Sequence, residues 1–254
     1  MKHYGKICTM MYDLDKPVVP DMDLAFFLNY VEKAKGPILQ PMIGTGRFAL
    51  PLMEKGFKID GVDVSADMLA KYRRVCEERD YDVNIYESSL AEMKLPERYA
   101  LVFITSGSFS LIIDDDEISR SLANINQHLL PGGTFVFEVS EYHDAHQLDH
   151  HWNGKWVKSP DGEIVLQSVV QNDQDQNSDI VHSLVRYELI KDGKLVDTEF
   201  LEFSLKFHNK GGDTLKALLE KHGFEDVVYY NAYDKTYDPD RRGFNLIIEC
   251  QKKK

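Results

Sequence analysis

Cysteine is scarce in this chain: Cys8, Cys76 and Cys250 are the three among 254 residues. So few and so scattered, they form neither a disulfide framework nor a metal-ligand pattern, and reduced cytoplasmic thiols are the expectation. Cations are also in short supply, with 30 Lys and Arg against 42 Asp and Glu and a net charge of −12. Phosphate neutralisation needs clustered Lys and Arg, so neither nucleic acid nor an anionic membrane is expected as a partner. Long apolar runs are missing too, and the start, Met1-Lys-His-Tyr-Gly-Lys-Ile-Cys8, lacks the apolar core of a signal peptide. A soluble, cytoplasmic protein acting on small molecules remains. The 43% hydrophobic and 28% charged residues are ordinary for a globular chain able to bury a large core.

Hydrophobic periodicity gives the layout. Leu24, Phe27, Leu28 and Val31 recur at helical spacing, as do Met68, Leu69, Tyr72, Val75 and Cys76. Ile118, Leu122, Ile125 and Leu129 mark a third helix, and Leu215, Leu218 and Leu219 a fourth. Ser65 suits the N-cap of the second helix, and Asp114 to Glu117 suit the positive end of the third. Strand-sized apolar runs alternate with these helices at 37–42, 58–62, 83–86, 99–105 and 134–139. Strict alternation of that kind predicts a parallel sheet covered by helices on both faces. From about 155 to 208 the period changes to two, with hairpin turns expected at Asp161-Gly162 and at Asp192-Gly193. A helix over 213–222 and strands near 227–230 and 245–249 follow. The fold class is therefore α/β with an antiparallel β insertion.

The chemistry concentrates where the strand at 37–42 runs into Gly44-Thr45-Gly46-Arg47. Glycines there let the backbone turn sharply and approach a ligand, and a helix N-terminus behind them offers N–H groups to an electron-rich partner. Asp63 stands 19 residues after Gly44, at the end of the next strand. In that position a carboxylate accepts hydrogen bonds from both hydroxyls of a ribose. Gly44-x-Gly46-x-x-Ala49 also satisfies a dinucleotide fingerprint, which by itself is weak.

Three elements, Gly44-Thr-Gly-Arg-Phe48, Gly61-Val-Asp-Val-Ser-Ala-Asp-Met-Leu69 and Leu129-Leu-Pro-Gly-Gly133, occur in one order. Together they resemble the class I S-adenosylmethionine-dependent methyltransferases over most of residues 37–140. The later part is similar in layout to sugar and small-molecule N-methyltransferases of that class. The resemblance implies a seven-stranded Rossmann-like sheet. It divides the chain into an N-terminal helical segment (1–36), a cofactor-binding core (37–140), a β-rich acceptor-side insertion (141–211) and a closing helix and strands (212–254). It implies S-adenosyl-L-methionine as cofactor and a small-molecule methyl acceptor, an amine before a hydroxyl. No resident metal is expected.

Residue by residue, the resemblance puts Gly44, Gly46 and Arg47 at the amino-acid end of the cofactor and Asp63 on the ribose. Val64 and Met68 would pack on the adenine, and Ser89 and Leu90 would meet its edge, Leu90 through its backbone N–H. Thr105 and Ser106 would sit beside the transferable methyl, and Tyr12 would close over the cofactor. Gln40 stands where the family usually has an acidic residue, Met42 where it has a third glycine, and Ala100 where it commonly has Asp. Ser89 stands near a position that is commonly Asp.

In-line transfer to an amine asks chiefly for alignment, so no triad or dyad needs to stand out. His143 and His208 are the catalytic candidates. His143 belongs to a run with His146, His150 and His151 in which metal ligation is the alternative reading, and Phe207-His208 precedes the last helix much as in sugar N-methyltransferases. Trp152, Trp156, Arg186 and Tyr187 could face the acceptor or build the insertion's own packed face. Two competing functions stay open. One is a protein that binds S-adenosylmethionine without catalysis. The other is a nicotinamide oxidoreductase, which would use a Tyr-x-x-x-Lys pair such as Tyr12/Lys16 or Tyr187/Lys191.

Overall fold

The computed structural model describes residues 4–140, 151–172, 179–208, 214–231, 233–236 and 245–254. Five parallel strands form its centre: β1 (Ile38–Pro41), β2 (Asp60–Asp63), β3 (Ile85–Glu87), β4 (Tyr99–Ile104) and β5 (Leu129–Ser140). β10 (Phe224–Tyr230) and β11 (Asn245–Lys252) complete a seven-stranded sheet in the order β3-β2-β1-β4-β5-β11-β10, with β11 antiparallel to both neighbours.

Alternate residues of each central strand serve opposite faces, which is why the strands read as continuous apolar runs. Leu39, Val102, Ile104, Phe135 and Phe137 join Ile118, Leu122 and Ile125 of α5 (Asp115–His128) in one cluster. Leu101, Phe103 and Val136 join Phe26, Phe27 and Val31 of α2 (Asp21–Lys33) in the other. Burying each large side chain stabilises the fold by about 1.5–3 kcal/mol. α4 (Ala66–Glu78) and α5 begin where the sequence placed caps. Ser65 Oγ accepts from the Met68 N–H at 3.2 Å, and Asp114 Oδ1 from the Glu117 N–H at 2.8 Å.

A second sheet is antiparallel and four-stranded: β6 (Asn153–Lys158), β7 (Ile164–Asn172), β8 (Ile180–Lys191) and β9 (Lys194–Lys206), in that order. Asp192 and Gly193 both have positive φ, +50° and +72°, as a two-residue hairpin between right-twisted strands requires. α1 (Lys6–Asp15) covers one face of this sheet. Ile7, Cys8 and Met11 pack on Val165, Val185, Tyr187 and Leu201. The Glu199 carboxylate accepts the Ile7 N–H at 2.9 Å, capping the positive end of α1. The N-cap of α1 is Gly5, whose missing Cβ leaves room for that carboxylate.

Some boundaries differ from the sequence reading. β5 starts at Leu129 and carries Pro131-Gly132-Gly133 within it, with Gly132 at φ +72°. The helix after Gly46, α3 (Ala49–Met53), begins three residues on and is only five residues long. α6 (Thr214–Lys221) packs through Leu215 and Leu219 against the core that contains α5.

Candidate active site

The chain leaves β1 toward β2 but leaves β4 toward β5, so strand order reverses between β1 and β4. In open α/β sheets that switch point leaves a crevice at the carboxyl ends of the strands. Here it holds a cavity of about 480 Å³. Residues following β1, β2, β3 and β4 line its floor, while Tyr4, Tyr12 and residues 201–204 of β9 close it from the second sheet's side.

Eleven of the twelve residues expected around the cofactor line this cavity, Gln40, Gly44 and Asp63 among them, and Gly46 is the exception. The Asp63 carboxylate accepts the Gly44 N–H at 2.8 Å through Oδ2 and the Ser65 N–H at 2.9 Å through Oδ1. These bonds fix its orientation at the mouth of β2 and tie the glycine turn to the second strand. Gln40, fully buried, spans the switch point and donates from Nε2 to Thr105 Oγ1 at 3.4 Å. Its Oε1 is buried without a hydrogen-bond partner. A buried acceptor left unmade costs about 1–3 kcal/mol, so this atom is built for a donor that arrives with a ligand.

Arg47 lies across the same end. Its Nη2 donates to Ser106 Oγ at 2.9 Å, and its guanidinium stands 5.7 Å from the Tyr12 ring and 5.2 Å from the Phe48 ring. Nε of Arg47 is buried without a partner. Burial pushes the Tyr12 phenol above its ordinary range, with Arg47 pulling the other way, so it stays protonated at neutral pH. Backbone strain gathers here as well. Met42 has φ +54° and Ser106 φ +63°, left-handed values uncommon for side chains with a Cβ. Met42 occupies the position where the resemblance expects glycine. Its side chain lines the cavity and packs on the main core.

On the other wall, Met68 and Leu90 are buried, Val64 is partly exposed, and Ser88 and Ser89 follow β3. Gly46 is absent from the cavity wall because its backbone (φ +82°) lies against the Tyr72 ring, where no Cβ would fit. It is a packing glycine. His208 also departs from expectation. It is 7% exposed, lies beside Phe109 with ring centroids 6.2 Å apart, and does not line the cavity. Its Nε2 has no partner, and burial drives its pKa from 6.5 down to about 4, so the ring is neutral. His143 lies outside the described residues.

The aromatic and charged candidates of the insertion are elsewhere. Trp152 and Trp156 are exposed, Arg186 sits 5.1 Å from the Trp152 ring, and Tyr187 is buried under α1 with its oxygen accepting from Gln167 at 3.1 Å. That burial removes Tyr187 and Lys191 from any proton relay at the cavity. Lys16 stands over the Tyr12 ring at 5.3 Å, an arrangement of cation on ring face. Sequence reasoning missed Tyr4, which precedes α1 in a stretch without periodicity, and the β9 residues, whose alternation says nothing of what lies beside the strand.

The donor set fits S-adenosylmethionine. The unpartnered Oε1 of Gln40 matches an ammonium, the unpartnered Nε of Arg47 a carboxylate, and Asp63 a ribose, all in one cavity of suitable size.

Comparison with known proteins agrees. Residues 38–133 match the methyltransferase domain family. A protein of Geobacillus sp. (strain WCH70) named as a methyltransferase is 27% identical over 136 residues, an alignment that spans 54% of each chain. The glycine/sarcosine N-methyltransferase of Aphanothece halophytica is 23% identical over 226 residues, covering 88% of this chain and 79% of that one. The sugar N-methyltransferase KedS8 from Streptoalloteichus superposes with a TM-score of 0.77 at 17% identity, over 100% of this chain and 96% of its own, and so shares the fold.

Proposed function

We propose that this chain, a class I S-adenosylmethionine-dependent methyltransferase, methylates the nitrogen of a small-molecule amine. The observation that carries the cofactor assignment is the buried, unpartnered Oε1 of Gln40 in the same cavity as the Asp63 carboxylate, at the sheet's switch point. The amine is supported by relatives named for methyl transfer to glycine, sarcosine and sugar nitrogen.

Bound in this cavity, the cofactor supplies a methyl group already activated by its sulfonium. Gln40 Oε1 accepts from the ammonium, in place of the carboxylate usual in the family. Arg47 meets the cofactor's carboxylate, and Asp63 accepts from the ribose hydroxyls. Gly44 and Gly46 act through the turn they permit: Gly44 gives its N–H to Asp63, and Gly46 lets the turn settle on Tyr72. Val64 and Met68 pack on the adenine, and Ser89 and the Leu90 backbone meet its edge. Thr105 and Ser106 flank the methyl, and Tyr12, stacked on Arg47, closes the amino-acid end.

Alignment of the acceptor lone pair with the breaking bond supplies about 7–11 kcal/mol of barrier reduction, so an unprotonated amine needs no strong base. His208, neutral and packed on Phe109, acts as a positioning residue for the turn after β4. Its role is to hold the wall that carries Thr105 and Ser106. His143 remains a candidate on the acceptor side. Three free, buried thiols suit a reducing cytoplasm.

The test is turnover with methyl-labelled cofactor on matched amines and alcohols, read by mass spectrometry. Labelled N-methyl products are expected, with rates that rise with pH as the amine loses its proton. Labelled ethers from the alcohols alone would overturn the amine assignment. Tight cofactor binding without any product would favour the binding-only reading.

A further inference from the structure

A second cavity, of about 400 Å³, lies at the amino ends of the central strands, the opposite end of the sheet from the cofactor cavity. The start of β4, the Gly132-Gly133 stretch of β5 and the end of α2 line it. At its edge the Lys235 ammonium stands among three rings. It is 4.2 Å from the centroid of Tyr30, 5.3 Å from that of Tyr230 and 5.7 Å from that of Phe26. Phe26 and Tyr30 are one turn apart on α2, with ring centroids 5.1 Å apart, and Tyr230 ends β10. None of these four residues lines the cofactor cavity.

The hollow carries a carboxylate as well. Glu249 of β11 accepts from the Tyr30 hydroxyl and from the Tyr230 hydroxyl, the latter at 3.2 Å. Lys235 Nζ donates to Glu249 Oε2 at 3.2 Å and to the Tyr30 oxygen at 2.7 Å. Burial, with Glu249 beside it, pushes the Tyr30 phenol above its ordinary range, so it keeps its proton and the negative charge rests on Glu249. Ring faces and a carboxylate around one cation make an aromatic cage, the arrangement that recognises methylated ammonium groups. A primary ammonium is compact and strongly hydrated, and the Lys235 side chain keeps contact with water at 35% exposure. A methylated ammonium holds water less tightly, so ring faces take it up with a smaller desolvation cost. Lys33 and Lys35 also line the cavity, at and just beyond the C-terminal end of α2, whose carbonyls offset their charge.

We infer that Phe26, Tyr30, Tyr230 and Glu249 form a binding site for a tertiary or quaternary ammonium, with Lys235 as the side chain that the ligand displaces. The ligand's cation takes the place of Lys235 Nζ among the rings and pairs with Glu249, and the cavity beside it holds the rest of the molecule. Lys235 belongs to the connection between β10 and β11, so its departure moves one side chain and leaves the sheet intact. Methylated ammonium is also the group that the proposed reaction makes. That link rests on the proposed function, while the binding itself does not and is read without turnover.

The probe is tetramethylammonium chloride, with sodium chloride at equal ionic strength as control, titrated into the full chain after S-adenosylhomocysteine has filled the cofactor cavity. Calorimetry reads the affinity, and the probe's methyl resonance reads the cage, because ring currents shift protons over a ring face upfield. The wild type is expected to bind tetramethylammonium in preference to sodium. Lys235→Ala removes a tethered competitor whose effective concentration is on the order of millimolar, so affinity is expected to rise at least about 10-fold. Tyr30→Leu is expected to lose the upfield shift and at least about 10-fold in affinity. Should it fail to fold, Glu249→Gln, close in shape, is expected to show a similar loss of affinity. No preference over sodium in the wild type would overturn the inference, whether or not Lys235→Ala binds the probe. So would a preference that persists unchanged in folded Tyr30→Leu or Glu249→Gln. Failure of S-adenosylhomocysteine to bind would count against the proposed function alone.

Discussion

The seven-stranded sheet is buried on both faces and the four-stranded sheet on one. In the first, helices α2 and α5 leave the strand ends as the place where polar groups can face a cavity, and the ligand-side groups collect there. In the second, α1 seals one face and the other stays open, and this side of the molecule contributes to the cavity through the edge strand β9, through Tyr12 of α1 and through Tyr4 just before it. The seven-stranded sheet fixes the geometry of the cavity's polar groups by backbone and side-chain hydrogen bonds. The antiparallel one is a wall whose position depends on how firmly it is held.

Changes at four positions sharpen or break that contrast, from the largest expected effect to the smallest. Asp63→Ala removes the acceptor for the Gly44 and Ser65 N–H groups together with the proposed ribose contact. Charged hydrogen bonds are worth about 1.5–3 kcal/mol each, so cofactor affinity by calorimetry should fall about 100- to 1,000-fold. Unchanged affinity would remove Asp63 from the site.

His208 predicts an acid sensitivity. Its folded pKa, about 4, lies below its ordinary 6.5, so between those values the unfolded chain binds more protons and stability falls as pH falls. The loss approaches about 3 kcal/mol at the lower end. His208→Phe should therefore narrow the stability gap between about pH 7 and pH 4, measured by urea unfolding, with little change in cofactor affinity.

Glu199→Ala uncaps α1 and should cost about 1–2 kcal/mol, concentrated in the second sheet. Hydrogen exchange should rise over α1 and β9 and stay unchanged in β1 and β4. A uniform rise would mean that the two sheets unfold as one unit. Gln40→Leu is the smallest. It deletes one buried acceptor without adding charge and should weaken cofactor binding by about 10-fold. Gln40→Glu, which supplies the acidic residue that the resemblance expects there, should restore or exceed the wild-type affinity.

Much of this was legible in the chain itself. Helical periodicity marked α2, α4, α5 and α6, alternation marked the second sheet, and Ser65 and Asp114 cap the helices expected of them. The glycine turn and the spacing to Asp63 picked out the cavity floor. α1 falls in the segment read as helical, but its packing partner escaped notice, because Ile7, Cys8 and Met11 form a short stripe that meets Val165, Val185, Tyr187 and Leu201 far along the chain, a distance at which local pattern is silent. Neither Gly46, expected at the cofactor, nor His208, a catalytic candidate, lines the cavity, and sequence gives position along the chain and not direction. Tyr72 takes the space in front of one, and Phe109 stands beside the other.

What the sequence determined alone is the periodic part: which segments are helix or strand, that the first five strands of the large sheet run parallel, and where the glycine turn stands relative to Asp63. These follow from local sterics and from the repeat of apolar residues, which neighbours in the chain decide. Tertiary structure decided the rest. It left Gln40 Oε1 without a partner at the switch point, turned Met42 into a left-handed bend, and brought α1 across from the N-terminus to close the cavity. It also left one face of the second sheet bare. Each of these depends on what stands opposite a residue in space, and that is settled only when the sheets and helices pack.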